Sequence, residues 1–133
     1  MASPSLPIAT EEELRCLPKP WFIVDARDQS EIDAKKGGAG ALEGSVHLPL
    51  NIEGVPQSAR PTTFEEFKAK LDASGIALPE DKAASIVAHC GRGGRGGRLT
   101  SYLRDLGYEN VLNGGGPGHI LQALDDDDTK QDG

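Results

Sequence analysis

Nine consecutive residues constrain this chain more than any others: His89-Cys90-Gly91-Arg92-Gly93-Gly94-Arg95-Gly96-Gly97. The stretch before them, Ala83 to His89 and centred on Ile86-Val87-Ala88, is apolar enough for a buried strand. After them, Leu99, Tyr102, Leu103 and Leu106 recur at helical spacing until Gly107 ends the helix. A cysteine thus opens a glycine-rich connection from strand to helix. Arg-Gly-Gly repeats also occur in disordered RNA-binding segments, but without a strand and an amphipathic helix on either side.

The loop has a chemical reading of its own. Glycine at 91, 93, 94, 96 and 97 permits tight and left-handed turns without a Cβ clash. Successive backbone N–H groups can then converge as an anion-binding nest. The helix that follows adds its positive end. A thiol at the base of such a nest is favoured as the thiolate, which is the nucleophile. Arg95, with Arg92, strengthens the field, so the site suits a cysteine that accepts a group from an anionic donor. Arg98 falls one turn into the helix, where it faces solvent more freely.

The rest of the chain alternates helix and strand. Thr10 to Leu17 reads as a short helix, with Thr10 and Glu13 as a capping box and Pro18 as its stop. Trp21 to Val24 reads as a buried strand running into Asp25-Ala26-Arg27, and residues 28–33 as a helical turn. Lys36 to Gly40 is a glycine-rich loop, Ser45 to Leu50 a second strand closed by Pro49, and 54–62 another loop. Thr63 caps a helix with Glu66, striped by Phe64, Phe67 and Leu71 and ended by Gly75. Val111-Leu112 is a last short strand, and Pro117 opens a final helix to about Leu124. This order predicts an α/β domain whose mostly parallel sheet carries helices on both faces. Ligands of such sheets bind beyond the carboxyl ends of the strands, where Cys90 falls.

Composition sets the bounds. A chain of 133 residues, 37% hydrophobic and 26% charged, fits one globular domain. That domain is placed at 10–124, between a flexible N-terminus over 1–9 and an acidic, disordered tail over 125–133. More than half of the net charge of −7 comes from that tail, with five Asp and one Lys. A cationic loop on an acidic chain points to a small anionic ligand rather than a nucleic acid. No membrane span and no secretory signal are read, and two cysteines make no disulfide framework, so a cytoplasmic setting is expected. Cysteine and histidine spacing suggests no metal site, and no cofactor is expected. The sequence sets no oligomeric state. Further expectations are that Arg27 pairs with Glu31, that Cys16 is buried and inert, and that His47, His89 and His119 are structural.

From about Thr10 to Leu124 the chain resembles the rhodanese sulfurtransferases, in particular the single-domain kind. Val24-Asp25-Ala26-Arg27, with Glu31 four residues on, resembles the family's strand-end D-x-R followed by an acidic residue. Gly40 to Pro49 resembles its G-H-I-x-G-A-x-N-I-P segment, with Ala41 at the histidine. Cys90 to Arg95 resembles its active loop, C-x-x-G-x-R, with Gly91 directly after the cysteine and Gly96 after the arginine, where the family often has side chains. The resemblance implies a sulfurtransferase in which Cys90 carries sulfur as a persulfide cradled by Gly91, Arg92, Gly93, Gly94 and Arg95. Asp25 and Arg27 would brace the loop. The implied partners are a small anionic sulfur donor such as thiosulfate and an acceptor that is cyanide, a thiol or a protein. Two other functions use the same fold. Dual-specificity phosphatases and arsenate reductases have C-x5-R loops, which would need arginine at Gly96. Non-catalytic binding modules lack the cysteine that this chain has.

Overall fold

A computed structural model of the chain describes residues 5–50 and 62–132, with side chains as far as Asp125. Four short strands follow the apolar runs: β1 (Phe22–Asp25), β2 (Val46–His47), β3 (Ser85–His89) and β4 (Asn110–Asn113). They form one sheet in the order β2-β1-β3-β4, and every pair is parallel. Their carboxyl ends therefore share one edge. On it Asp25 lies beside both His47 and His89, and Ala88 beside Asn113.

Among the described residues there are five helices: α1 (Glu11–Cys16), α2 (Gln29–Asp33), α3 (Phe64–Ser74), α4 (Gly94–Asp105) and α5 (Pro117–Asp132). Successive strand side chains point to opposite faces, so each face has its own core. Ile86 and Ala88 of β3 pack with Phe67 of α3 and Leu99, Tyr102 and Leu103 of α4. Val87 packs on the other side with Leu14, Leu17, Ile120 and Ala123 of the α1 and α5 layer. Each large side chain so buried contributes about 1.5–3 kcal/mol. The arrangement is the three-layer α/β fold expected, and the sheet is wholly parallel.

The helix starts follow sequence chemistry. Thr10 and Glu13 bond reciprocally at α1, and Thr63 and Glu66 do the same at α3. Gly75 ends α3 with a left-handed φ of 73°. Several boundaries differ from those predicted. Pairing along β2 stops at His47, although the Leu48 and Leu50 N–H groups still donate to the carbonyls of Asp25 and Ala26 beyond it. Pro49 has no N–H to sustain a ladder. Of the loop predicted at 54–62, all but Thr62 lies outside the described residues. Helix α5 runs past Leu124 to Asp132, since no Gly or Pro interrupts 119–132. Residues 5–9 are not a free arm: the Leu6 N–H bonds the Gly97 carbonyl, the Ala9 N–H bonds the Asn113 carbonyl, and Ile8 bridges β4 in parallel. Among the described residues, no helix is long and apolar enough to cross a membrane.

Candidate active site

Cys90 directly follows β3, and α4 begins four residues later, inside the glycine run rather than after it. Gly93 makes this possible. Its φ of 99° is the left-handed turn that swings the chain into the helix, and it stands as the N-cap. The first intrahelical bond runs from the Gly97 N–H to the Gly93 carbonyl, at 2.8 Å. The amides of Gly94, Arg95 and Gly96 thus precede the helical ladder. Gly96 donates its N–H to the Cys90 Sγ at 3.3 Å, and Gly93 donates at 3.0 Å. Two backbone dipoles, backed by the helix end, converge on one sulfur atom.

Cys90 is 1% exposed. Its surface opens into a pocket of about 450 Å3 lined by Glu31, Lys36, Gly37, Gly91, Arg92, Gly94 and Arg95. A reactant has to enter that pocket to touch the sulfur. Arg92 is exposed at its rim, whereas Arg98 lies within α4 and does not line it.

Arg95 is engaged differently from the expectation. Its two terminal nitrogens donate to the two carboxylate oxygens of Glu31 at 2.5 and 2.6 Å. This is a bidentate fork, the strongest form of such a pair. Hydrogen bonds from Arg95 hold the Glu31 carboxyl down at about 2, against the opposing effect of burial. The same bonds raise the pKa of Arg95. The predicted Arg27–Glu31 pair does not form, because Arg27 turns inward. It is fully buried and grips Asp25 through Nε and Nη2, the latter at 2.7 Å. Its remaining donors reach the carbonyls of Lys36, Ala39 and Gly40. Asp25 and Arg27 therefore hold the 36–40 loop, which walls the pocket opposite Cys90, and do not touch the sulfur.

The histidines are bound into the scaffold. His47 is exposed, with Nε2 2.6 Å from the Arg27 carbonyl, and His119 Nε2 lies 2.7 Å from the Ala9 carbonyl. His89 is fully buried, with Nε2 unpaired among the described residues and 3.9 Å from Asp25. Burial lowers its pKa despite the attraction of Asp25. Burial would raise the pKa of Asp25, but the hydrogen bonds from Arg27 and the proximity of His89 outweigh it and keep it below the usual range. Cys16 is exposed, not buried. Leu14 and Leu17 take the inward face of α1, and Cys16 falls between them on the outside.

Gly96, Glu31, Lys36 and Gly37 are the site residues that the sequence reading did not assign. The amide of Gly96 follows once Gly93 is taken as the N-cap. The glycines of the 36–40 loop signal a close approach, since a Cβ on Gly37 would meet the Gly91 carbonyl at 2.8 Å. Gly96 also explains its own lack of a side chain: a Cβ there would sit 2.7 Å from Asn113 Oδ1 and 3.0 Å from the His89 backbone.

The rhodanese-like domain family matches residues 10–116. Among solved structures, the rhodanese-like domain of an Anabaena protein is 19% identical, with a TM-score of 0.46 over 90% of this chain and 74% of that one. The 3-mercaptopyruvate sulfurtransferase of Leishmania major is 20% identical, with a TM-score of 0.48 over 84% of this chain and 34% of that one. No curated protein matches significantly.

Proposed function

The chain belongs to the rhodanese-like domain family, and we propose that it is a sulfurtransferase working through a persulfide on Cys90. One observation carries the reading: Sγ of Cys90 accepts two backbone N–H bonds, from Gly93 and Gly96, at the base of an open pocket. Such donors stabilise negative charge on sulfur without themselves reacting.

The transfer has two steps. The Cys90 thiolate attacks the outer sulfur of thiosulfate. The S–S bond of the donor breaks, its electron pair leaves with sulfite, and Cys90 becomes a persulfide anion. An acceptor such as cyanide then attacks the terminal sulfur. Thiocyanate leaves and the thiolate returns. The N–H groups of Gly93 and Gly96 hold the cysteine sulfur in both steps.

Recognition of the anionic donor falls to other residues than first expected. With Arg95 bound to Glu31, the cationic side chains of the pocket left for a donor are Lys36 and Arg92. Arg95 instead fixes the loop on α2. This arrangement favours sulfur transfer over phosphoryl chemistry, because four residues separate Cys90 and Arg95 and the guanidinium is held by a carboxylate. Steady-state thiocyanate production from thiosulfate and cyanide is the test. Wild type should turn over and Cys90→Ser should not. Hydrolysis of aryl phosphates without thiocyanate formation would replace this reading with the phosphatase one.

A further inference from the structure

Asn113 ends β4 and is 2% exposed. Neither the motif nor the proposed chemistry uses it, yet its side chain reaches three separate segments. Nδ2 donates to the carbonyl of Gly93 and to that of Leu6, each at 2.9 Å. Oδ1 accepts the N–H of Gly115, also at 2.9 Å. Two of these three segments are bonded directly to Cys90. Gly93 gives its N–H to the sulfur, and the Gly115 carbonyl receives the Cys90 N–H at 3.0 Å. One amide thus ties together the backbone on both sides of the cysteine.

The third segment reinforces the first. Residues 5–9 lie along the back of the glycine loop, outside the part of the chain that matches the family. Ser5 Oγ donates to the Gly94 carbonyl at 3.0 Å, and the Leu6 N–H to that of Gly97 at 3.1 Å. The Ile8 side chain fills the space where a Cβ on Gly93 would stand, 2.6 Å away. A Cβ on Gly97 would collide with the Leu6 carbonyl and Ser5 Oγ. The loop has little side-chain bulk of its own, and glycine backbone is the freest to leave a given conformation. Its packing is supplied from outside, by Asn113 and this segment.

We infer that Asn113 is a positioning residue for Cys90, and that Ser5–Ala9 is the outer half of the same brace. Together they hold Gly93 in the left-handed turn that aims its N–H, and through α4 that of Gly96, at the sulfur. The catalytic consequence rests on the proposed sulfur transfer. The geometric one does not.

The test compares full-length wild type, Asn113→Ala and Ile8→Gly. Amide hydrogen exchange at Gly93 and Gly96 is read against that at Ile86–Ala88, alongside steady-state thiocyanate production. Both variants should speed exchange at the two glycines while the β3 amides keep their protection. Asn113→Ala should lower kcat about tenfold and Ile8→Gly about threefold, with the KM for thiosulfate changed less than either. A general loss of stability would instead speed exchange at all these amides together. Unchanged exchange and kcat in Asn113→Ala would overturn the inference. Should that variant fail to fold, Ile8→Gly decides alone by the same criteria, since Ile8 is 47% exposed at the edge. A wild type that makes no thiocyanate would refute the proposed function, and the exchange comparison would still settle the brace.

Discussion

Two neighbouring strands end at the same level of the sheet, with Asp25 paired in register to His89, but the two ends are built in opposite ways. After β1, Asp25 and Arg27 spend their charges on each other and on three carbonyls of the 36–40 loop. After β3, the chain leads with Cys90 and glycines, whose N–H groups face a sulfur atom and a pocket. The first end is saturated and buried, and the second is left with capacity for a ligand. The saturated end fixes the 36–40 wall of the pocket, and the glycine end supplies the N–H groups at its base.

The largest effect should come from breaking the saturated end. Arg27→Ala leaves Asp25 buried without its partner, and breaking a buried pair this way costs about 3–5 kcal/mol. Chemical denaturation should show that loss, with thiosulfate turnover falling as the pocket wall loses its anchor. Arg27→Lys should recover only part of it, since a lysine cannot reproduce the fork onto Asp25 together with three carbonyl contacts. A stability within experimental error of wild type would mean that the two strand ends do not differ as described.

The next effect concerns the pair that joins the open end to α2. Glu31→Gln removes a charge-assisted fork, a loss of about 1.5–3 kcal/mol, which if felt in the transition state lowers kcat/KM roughly 10- to 150-fold. The pH dependence has a definite sign. The Glu31 carboxyl is held at about 2 in the folded chain, against an ordinary value of 4.5. Between those values the unfolded chain binds the proton and the folded one does not, so stability rises with pH. The contribution is complete above about 4.5 and fades as pH falls toward 2. Acid unfolding of Glu31→Gln should lack that component. Equal acid sensitivity in the two proteins would detach Arg95 from Glu31 in solution.

The smallest effect belongs to the pocket rim. Lys36→Ala and Arg92→Ala should each raise the KM for thiosulfate a few-fold and leave kcat nearly unchanged. The difference should shrink with added salt, as for exposed charges. A salt-independent fall in kcat would place either residue in the chemistry instead.

Much of this contrast was legible in the sequence, and the unread part has physical causes. Periodicity and caps located all four strands and the boxes at Thr10 and Thr63, because those signals are local. The cysteine at a strand end in a glycine run pointed to the candidate site, where the structure has a pocket, for the same reason. The partner of Arg95 was not legible, since Glu31 lies 64 residues away and the pairing depends on how α2 is set. Arg27 and Glu31, close in sequence, looked like the natural pair, and burial of Arg27 against Asp25 overrode that proximity. Cys16 was misjudged because Leu14 of the six-residue α1 and Leu17 at its C-cap take the inward face and leave Cys16 on the outside. The docking of residues 5–9 was invisible because the cause is missing side chains in the loop rather than a pattern in the segment itself.

The central claim is that the open strand end makes Cys90 a sulfur carrier, and intact-mass spectrometry with peptide mapping after thiosulfate treatment tests it most directly. The account predicts a gain of one sulfur atom on the peptide holding Cys90, its removal by cyanide, and no gain in Cys90→Ser. An unmodified Cys90, or a sulfur found on the exposed Cys16 instead, would contradict it.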